Sequence, residues 1–207
     1  MKKVIVIIGE ILIILISLRF AYDDYNEPAF SKVLGKELEG EDVIGEVLSQ
    51  DVYKQDIVTE LKHFDKLKIK TATYARENKG YVLFNIKDSE GKILYEGKMD
   101  VSKCKNNKET VIELDKDIKL DDNKITLELQ GDEKQISENR NAITIYKCDA
   151  PSNEGNILTK NDEAFAGVFE VRLAYTYWSI KRCIYLLICT TALYVYFIFM
   201  LRTIKQK

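Results

Sequence analysis

Apolar positions along this chain fall into three regimes: an unbroken run near each end, and a long middle where apolar and polar residues alternate. Cys183 to Leu201 holds 19 residues without a charge. As a helix rising about 1.5 Å per residue, that run crosses a hydrocarbon core of about 30 Å. Val4 to Leu18 holds only 15 residues and includes Glu10. It reaches a similar length if Arg19 snorkels outward and Phe20 and Tyr22 complete the span. The pattern predicts a transmembrane helix at each end and a folded block between them. A cleavable signal peptide fits the first segment less well, because a cut after Ala21 needs a small residue two positions earlier, where Arg19 stands.

Between the runs, Asp23 to Asp42 is polar. Asn26 is placed to cap a short helix with Pro28 in its first turn, running to about Leu38 before Gly40. From Val43 onward the period becomes two. Lys66 to Thr71 alternates without error, sending Leu67 and Ile69 inward and the lysines outward. Val82, Phe84 and Ile86 repeat the pattern after a turn at Asn78-Lys79-Gly80. A second turn, Asp88-Ser89-Glu90-Gly91, leads into Ile93 and Tyr95, so these two runs form a hairpin. Ile112 with Leu114, then Ile125, Leu127 and Leu129, then Ile143 with Ile145, and finally Phe169, Val171 and Leu173 continue the series.

About eight short strands without a long helical period predict a mainly β fold. The expected architecture is an antiparallel, jelly-roll-like β-sandwich flanked by one N-terminal and one C-terminal transmembrane helix. A chain that enters and leaves at one membrane face favours such wiring, since its first and last strands must end close together. The domains expected are residues 1–22 as an anchor with a short cytoplasmic start and 23–42 as a linker with a short helix. The sandwich then fills 43–177, and a second span with a cytoplasmic tail fills 178–207.

Charge sharpens the topology. Residues 23–177 carry 23 basic and 32 acidic side chains, a net of −9, while the two ends hold 8 basic residues and only Glu10. Lys2 and Lys3 precede the first span, and Arg202, Lys205 and Lys207 follow the second, which places both termini in the cytoplasm. Arg19, Lys181 and Arg182 on the outer flanks weaken that signal. Phe20, Tyr22, Tyr25, Tyr175, Tyr177 and Trp178 fit interfacial belts. A two-pass plasma-membrane protein with its acidic block outside is expected. Without a basic stripe, nucleic acid is excluded as a partner and anionic headgroups are disfavoured.

Candidate chemistry is sparse. His63 is the lone histidine; Lys62-His63-Phe64-Asp65 reads as a polar loop, and no nucleophile elbow accompanies it. A multi-histidine metal site is ruled out, and neither a catalytic residue, a metal nor a cofactor is expected. Asp115, Asp117, Asp121 and Asp122 supply carboxylate pairs, read as turn residues ahead of calcium binding through Asp121-Asp122-Asn123 or glycoside hydrolysis. Cys104 and Cys148 lie in the outer block, where a disulfide closing about 45 residues could contribute a few kcal/mol; their pairing is left open. Cys183 and Cys189 read as packing residues.

Two clusters remain. Tyr74, Arg76, Asn78 and Tyr81 surround one hairpin, where an aromatic face can stack on a sugar ring and Arg and Asn can direct hydrogen bonds. The bland alternative is an edge tyrosine beside a surface ion pair. Glu10 sits in an apolar helix, where a charge costs about 2.5–3.5 kcal/mol. Thr190, Thr191 and Tyr194 lie at comparable depth on the second helix and could bond a neutral Glu10. A helix of another protein could do so instead, or the carboxyl could serve proton or ion movement.

The stretch Thr71-Ala72-Thr73-Tyr74-Ala75-Arg76-Glu77-Asn78-Lys79-Gly80, running into Val82–Ile86, Asp88 and Gly91, resembles a β-sandwich domain found outside the membrane in bacterial polytopic proteins of surface-polysaccharide assembly. Asn141 to Tyr146 and the run from Gly167 to Leu173 are similar to its closing strands. The likeness covers about residues 44–175, and this chain has two expected spans where those proteins have many. It implies a jelly-roll module resembling carbohydrate-binding modules, with no catalytic residue to carry over. The expected function is that of a non-enzymatic, membrane-anchored accessory protein. Its candidate partners are a surface glycan and, through the helices, a polytopic membrane protein of glycan assembly. The alternative is an oligomeric regulator resembling polysaccharide chain-length determinants, which usually carry long outer helices.

Overall fold

The computed structural model describes residues 2–28, 41–135, 142–148 and 157–204. It divides into two compact units, Met1–Tyr25 with Thr176–Lys207, and Asn26–Tyr175.

The larger unit is built of strands because its apolar residues recur at every second position. Sheet one contains β2 (Glu41–Glu46), β4 (His63–Ala72), β7 (Lys108–Lys119), β9 (Thr144–Cys148), β12 (Val168–Phe169) and β13 (Val171–Trp178), with β1 (Tyr22–Pro28) beside β13. Sheet two runs β11 (Glu163–Ala164), β10 (Leu158–Lys160), β3 (Val52–Val58), β8 (Lys124–Gly131), β5 (Tyr81–Asp88) and β6 (Ile93–Asp100). The pairings between them are antiparallel. The mainly β, sandwich-like architecture expected from the alternation is therefore present, with the predicted hairpin in place as β5–β6.

Both sheets turn one face toward a shared core. Leu67 and Ile69 from β4 meet Tyr53 and Ile57 from β3, Phe84 and Ile86 from β5, Leu127 and Leu129 from β8, and Phe169. Truncating one such aromatic residue costs about 3–5 kcal/mol. Gly97 is needed here: a side chain at 97 would collide with the Phe84 ring. In sheet one, β4 and β9 pair at Thr71↔Ile145 and then part to admit the chain from Val168 onward. Glu170 sits at the fork, accepting from the Lys70 N–H at 3.1 Å and donating its own N–H to the Tyr146 carbonyl at 2.9 Å.

Two expectations fail in detail. Tyr22–Pro28 is a strand, so Asn26 and Pro28 do not open a helix there; the rest of that helix falls outside the described residues. His63 opens β4 instead of sitting in a loop. The strand β3, not among the runs named above, alternates in burial but not in residue type, because Gln55 takes a core position. It is satisfied there by the Phe169 N–H at 3.1 Å and by donating to the Asp56 carbonyl at 2.8 Å.

The smaller unit pairs two helices, α1 (Lys2–Arg19) and α2 (Ile180–Ile204). Along α1 the least exposed residues are Gly9, Ile13 and Ser17, spaced by four; along α2 they include Cys183, Leu186, Thr190 and Tyr194, spaced by three and four. These positions make the seam, since residues three and four apart share a helix face. Tyr194 lies so close over Gly9 that a Cβ there would stand 2.7 Å from its Oη. Ser179 caps α2, its Oγ accepting from the Arg182 N–H at 3.2 Å. Among the described residues, one helix is long and apolar enough to cross a membrane, over Ile180–Phe199. Helix α1 forms, but Lys2, Lys3, Glu10 and Arg19 within its 18 residues keep it from that standard. Of the two expected spans, length and composition support the C-terminal one.

Candidate functional site

The tightest departure from ordinary backbone lies just after β4. Thr73, Tyr74, Ala75 and Arg76 form a turn closed by the Arg76 N–H on the Thr73 carbonyl at 3.0 Å. Its two central residues are Tyr74 at φ 53° and Ala75 at φ 55°, left-handed values that a side chain with a Cβ rarely adopts. Each costs about 1–2 kcal/mol. The turn is held from outside: the Asn106 Oδ1 accepts from the Thr73 N–H at 3.0 Å. Strain of this kind persists where the surroundings enforce it, and it clusters at ligand sites.

The strain holds the Tyr74 ring in solvent, 44% exposed. Arg76 folds back over it, its Cζ 4.6 Å from the ring centroid. The guanidinium is fixed in turn: Nη2 donates to Glu46 Oε1 at 2.8 Å and to the Ala142 carbonyl at 3.4 Å. Asn78 is buried and donates its Nδ2 to the same carbonyl at 3.0 Å. Arg76 and Asn78 line a groove of about 360 Å³ with Lys79, Ser102 and Cys104. Burial pushes the Cys104 thiol above its ordinary value, so it remains protonated.

Of the four residues proposed from the sequence, Tyr74, Arg76 and Asn78 thus meet. Tyr81 does not join them. It lies on the outer face of β5 with the Lys98 Nζ 4.6 Å from its ring centroid, and its backbone N–H donates to Asp132 at 3.0 Å. Glu46, which fixes Arg76, was missed, since one carboxylate in an acidic chain gives no local signal and its role depends on a contact 30 residues away.

Elsewhere the geometry is plain. His63 Nδ1 lies 2.8 Å from Asp117, and its ring is 4.6 Å from that of Tyr175. The His63–Asp117 pair is open to solvent on both sides. Asp121 and Asp122 border a cavity of about 320 Å³ with Asp88 and Glu90, but Lys92, Lys119 and Lys124 interleave them. Among the described residues no group of three or more His, Cys, Asp or Glu could hold a metal ion. Among the described residues no disulfide joins the cysteines, Cys104 and Cys148 included. In the helix pair, the Thr190 hydroxyl donates to the Leu186 carbonyl at 2.6 Å, and Glu10 is exposed beside the seam.

No protein-family profile matches the chain, and no curated protein matches it either. Among solved structures, the clostridial cysteine protease Cwp84 after propeptide cleavage is similar at 11% identity and TM-score 0.43, over 77% of this chain and 41% of that one. The cysteine protease and lectin-like domains of Cwp84, a surface layer associated protein of Clostridium difficile, are similar at 12% identity and TM-score 0.40, over 77% and 36%. This chain spans well under half the length of those chains. The expectation that it is not an enzyme is corrected: the structures it is similar to include a cysteine protease, although likenesses this distant establish no activity.

Proposed function

We propose that this chain is a membrane-anchored accessory protein whose sandwich binds a cell-surface glycan, or a membrane partner in glycan assembly, at the Tyr74–Arg76 turn. The observation that carries the reading is an exposed tyrosine held by a strained, non-glycine turn beside a guanidinium and a buried amide. A flat aromatic face flanked by directed donors suits a sugar ring, whose C–H face stacks while its hydroxyls accept hydrogen bonds. In the same reading α1 accompanies α2 through the plasma membrane, both termini lie in the cytoplasm, and the jelly-roll-like block lies outside. The packing of Tyr194 over Gly9 supports this, since a helix seated along a membrane span enters with it. The long outer helices of chain-length regulators have no counterpart among the described residues of the larger unit, which favours the accessory role over the regulatory one.

A glycan array probed with the full chain in lipid nanodiscs tests the binding half. Binding above that of empty nanodiscs is expected, and its uniform absence would leave only the protein-partner reading.

A further inference from the structure

We propose that a second copy of this chain seats on the face of α1 that carries Glu10, the two carboxyl groups bonding each other across a two-fold axis. The proposal rests on the reading that α1 enters the bilayer with α2.

Three observations lead to it. Glu10 stands near the middle of α1, and its side chain is exposed. The residues beside it on that face, Ile14 and Leu18, are also exposed, at 47% and 46%. Of the groups named as partners within the chain, Thr190 bonds the carbonyls of Leu186 and Leu187, Thr191 is exposed, and the Tyr194 hydroxyl lies over Gly9. At 100° per residue Glu10 borders the seam of Gly9, Ile13 and Ser17 without entering it. Among the described residues no partner for its carboxyl is present.

A polar group at that depth is satisfied only by protein. The second copy is favoured over a different helix by the chemistry of the group. A neutral carboxylic acid carries one donor and one acceptor, so it is complementary to itself. Two copies inserted in the same orientation place Glu10 at the same depth, and a two-fold axis along the membrane normal brings the acids together without any further matching. The flanking Ile14 and Leu18 supply the apolar packing on either side. Glu10 would thus be the interhelical bond that fixes where two copies meet.

The test is energy transfer between two differently labelled full-length copies in proteoliposomes, followed as lipid dilutes protein. Wild type is expected to associate, and E10L to weaken association about tenfold, the scale of one interhelical hydrogen bond. E10Q should keep it within about threefold, because a primary amide also donates and accepts. Equal association of wild type and E10L would overturn the proposal, as would wild type that stays monomeric, or an E10Q that behaves as E10L. Quenching of a fluorophore at position 14 by lipid-borne quencher separates two failures. An unquenched probe overturns the reading that α1 enters the bilayer, whereas a quenched probe on monomeric protein overturns the pairing alone.

Discussion

Two turns in the larger unit have nearly the same backbone and opposite sequences. At Asn161 and Asp162 the chain takes φ 51° and 66° to join β10 to β11. At Tyr74 and Ala75 it takes φ 53° and 55°. Asn and Asp enter that region more readily than other residues with a Cβ, and both side chains are bonded across to β3: Asn161 Oδ1 accepts from the Val52 N–H at 2.8 Å, and Asp162 meets Lys54 at 2.5 Å. Tyrosine and alanine have no such compensation. The first turn therefore uses residues suited to its shape, and the second holds residues against theirs, with Asn106 bracing Thr73 and Glu46 fixing Arg76 from outside. The proposed saccharide site rests on this strained turn, whose tyrosine points to solvent.

The comparison breaks most readily if left-handed strain is negligible in this protein. Carrying the strained pair to the other turn, as Asn161→Tyr with Asp162→Ala, should cost about 2–4 kcal/mol by urea unfolding, from two unfavourable residues and the lost Val52 bond. No loss would remove the argument from strain. Removing a brace, Glu46→Ala, should cost about 1–2 kcal/mol because it strips the guanidinium of a charged hydrogen bond. It should also weaken any saccharide binding while leaving the sheets intact by circular dichroism. Relieving the strain, Ala75→Gly, should instead stabilise the chain by up to about 1 kcal/mol, since glycine enters the left-handed region freely. An unchanged or lower stability there would mean the turn is not strained at position 75.

The smallest expected effect lies away from both turns. Burial tends to raise the Glu128 carboxyl, but Lys87 Nζ at 2.7 Å and Asn85 outweigh it and hold the carboxyl below its ordinary value. A carboxyl lowered on folding stabilises above its unfolded value, and that contribution fades as pH falls through the folded one. Glu128→Gln should therefore flatten the acid limb of the stability profile slightly, and an equally steep limb would place the acid sensitivity elsewhere.

The strands could be read from the sequence wherever alternation was clean. Leu67 and Ile69, Phe84 and Ile86, and Leu127 and Leu129 all face the core as their spacing requires. Strand β3 was hidden because a buried Gln55 mimics a solvent position, and only the Phe169 amide 114 residues away makes that burial tolerable. Helix α1 is ambiguous to hydropathy for a similar reason: its sum includes four charges, while the seam against α2 is visible only once Gly9 meets Tyr194. The candidate site was legible as a cluster of residue types. Its defining feature, the sign of two φ angles, was not, because Tyr-Ala carries no turn signal of the kind that Asn-Gly does. Tyr81 was grouped with it by proximity in sequence, and the strand's alternation sends it to the outer face of β5.

The most direct test sets the two turns against each other on one glycan array, with the full chain in nanodiscs as wild type, Tyr74→Ala and Asn161→Ala. Tyr74→Ala is expected to lose saccharide binding by at least about tenfold, the scale of a stacked aromatic contact. Asn161→Ala, despite its own loss of stability, should bind as wild type does. Binding that survives Tyr74→Ala, or that falls equally in both variants, would contradict the account.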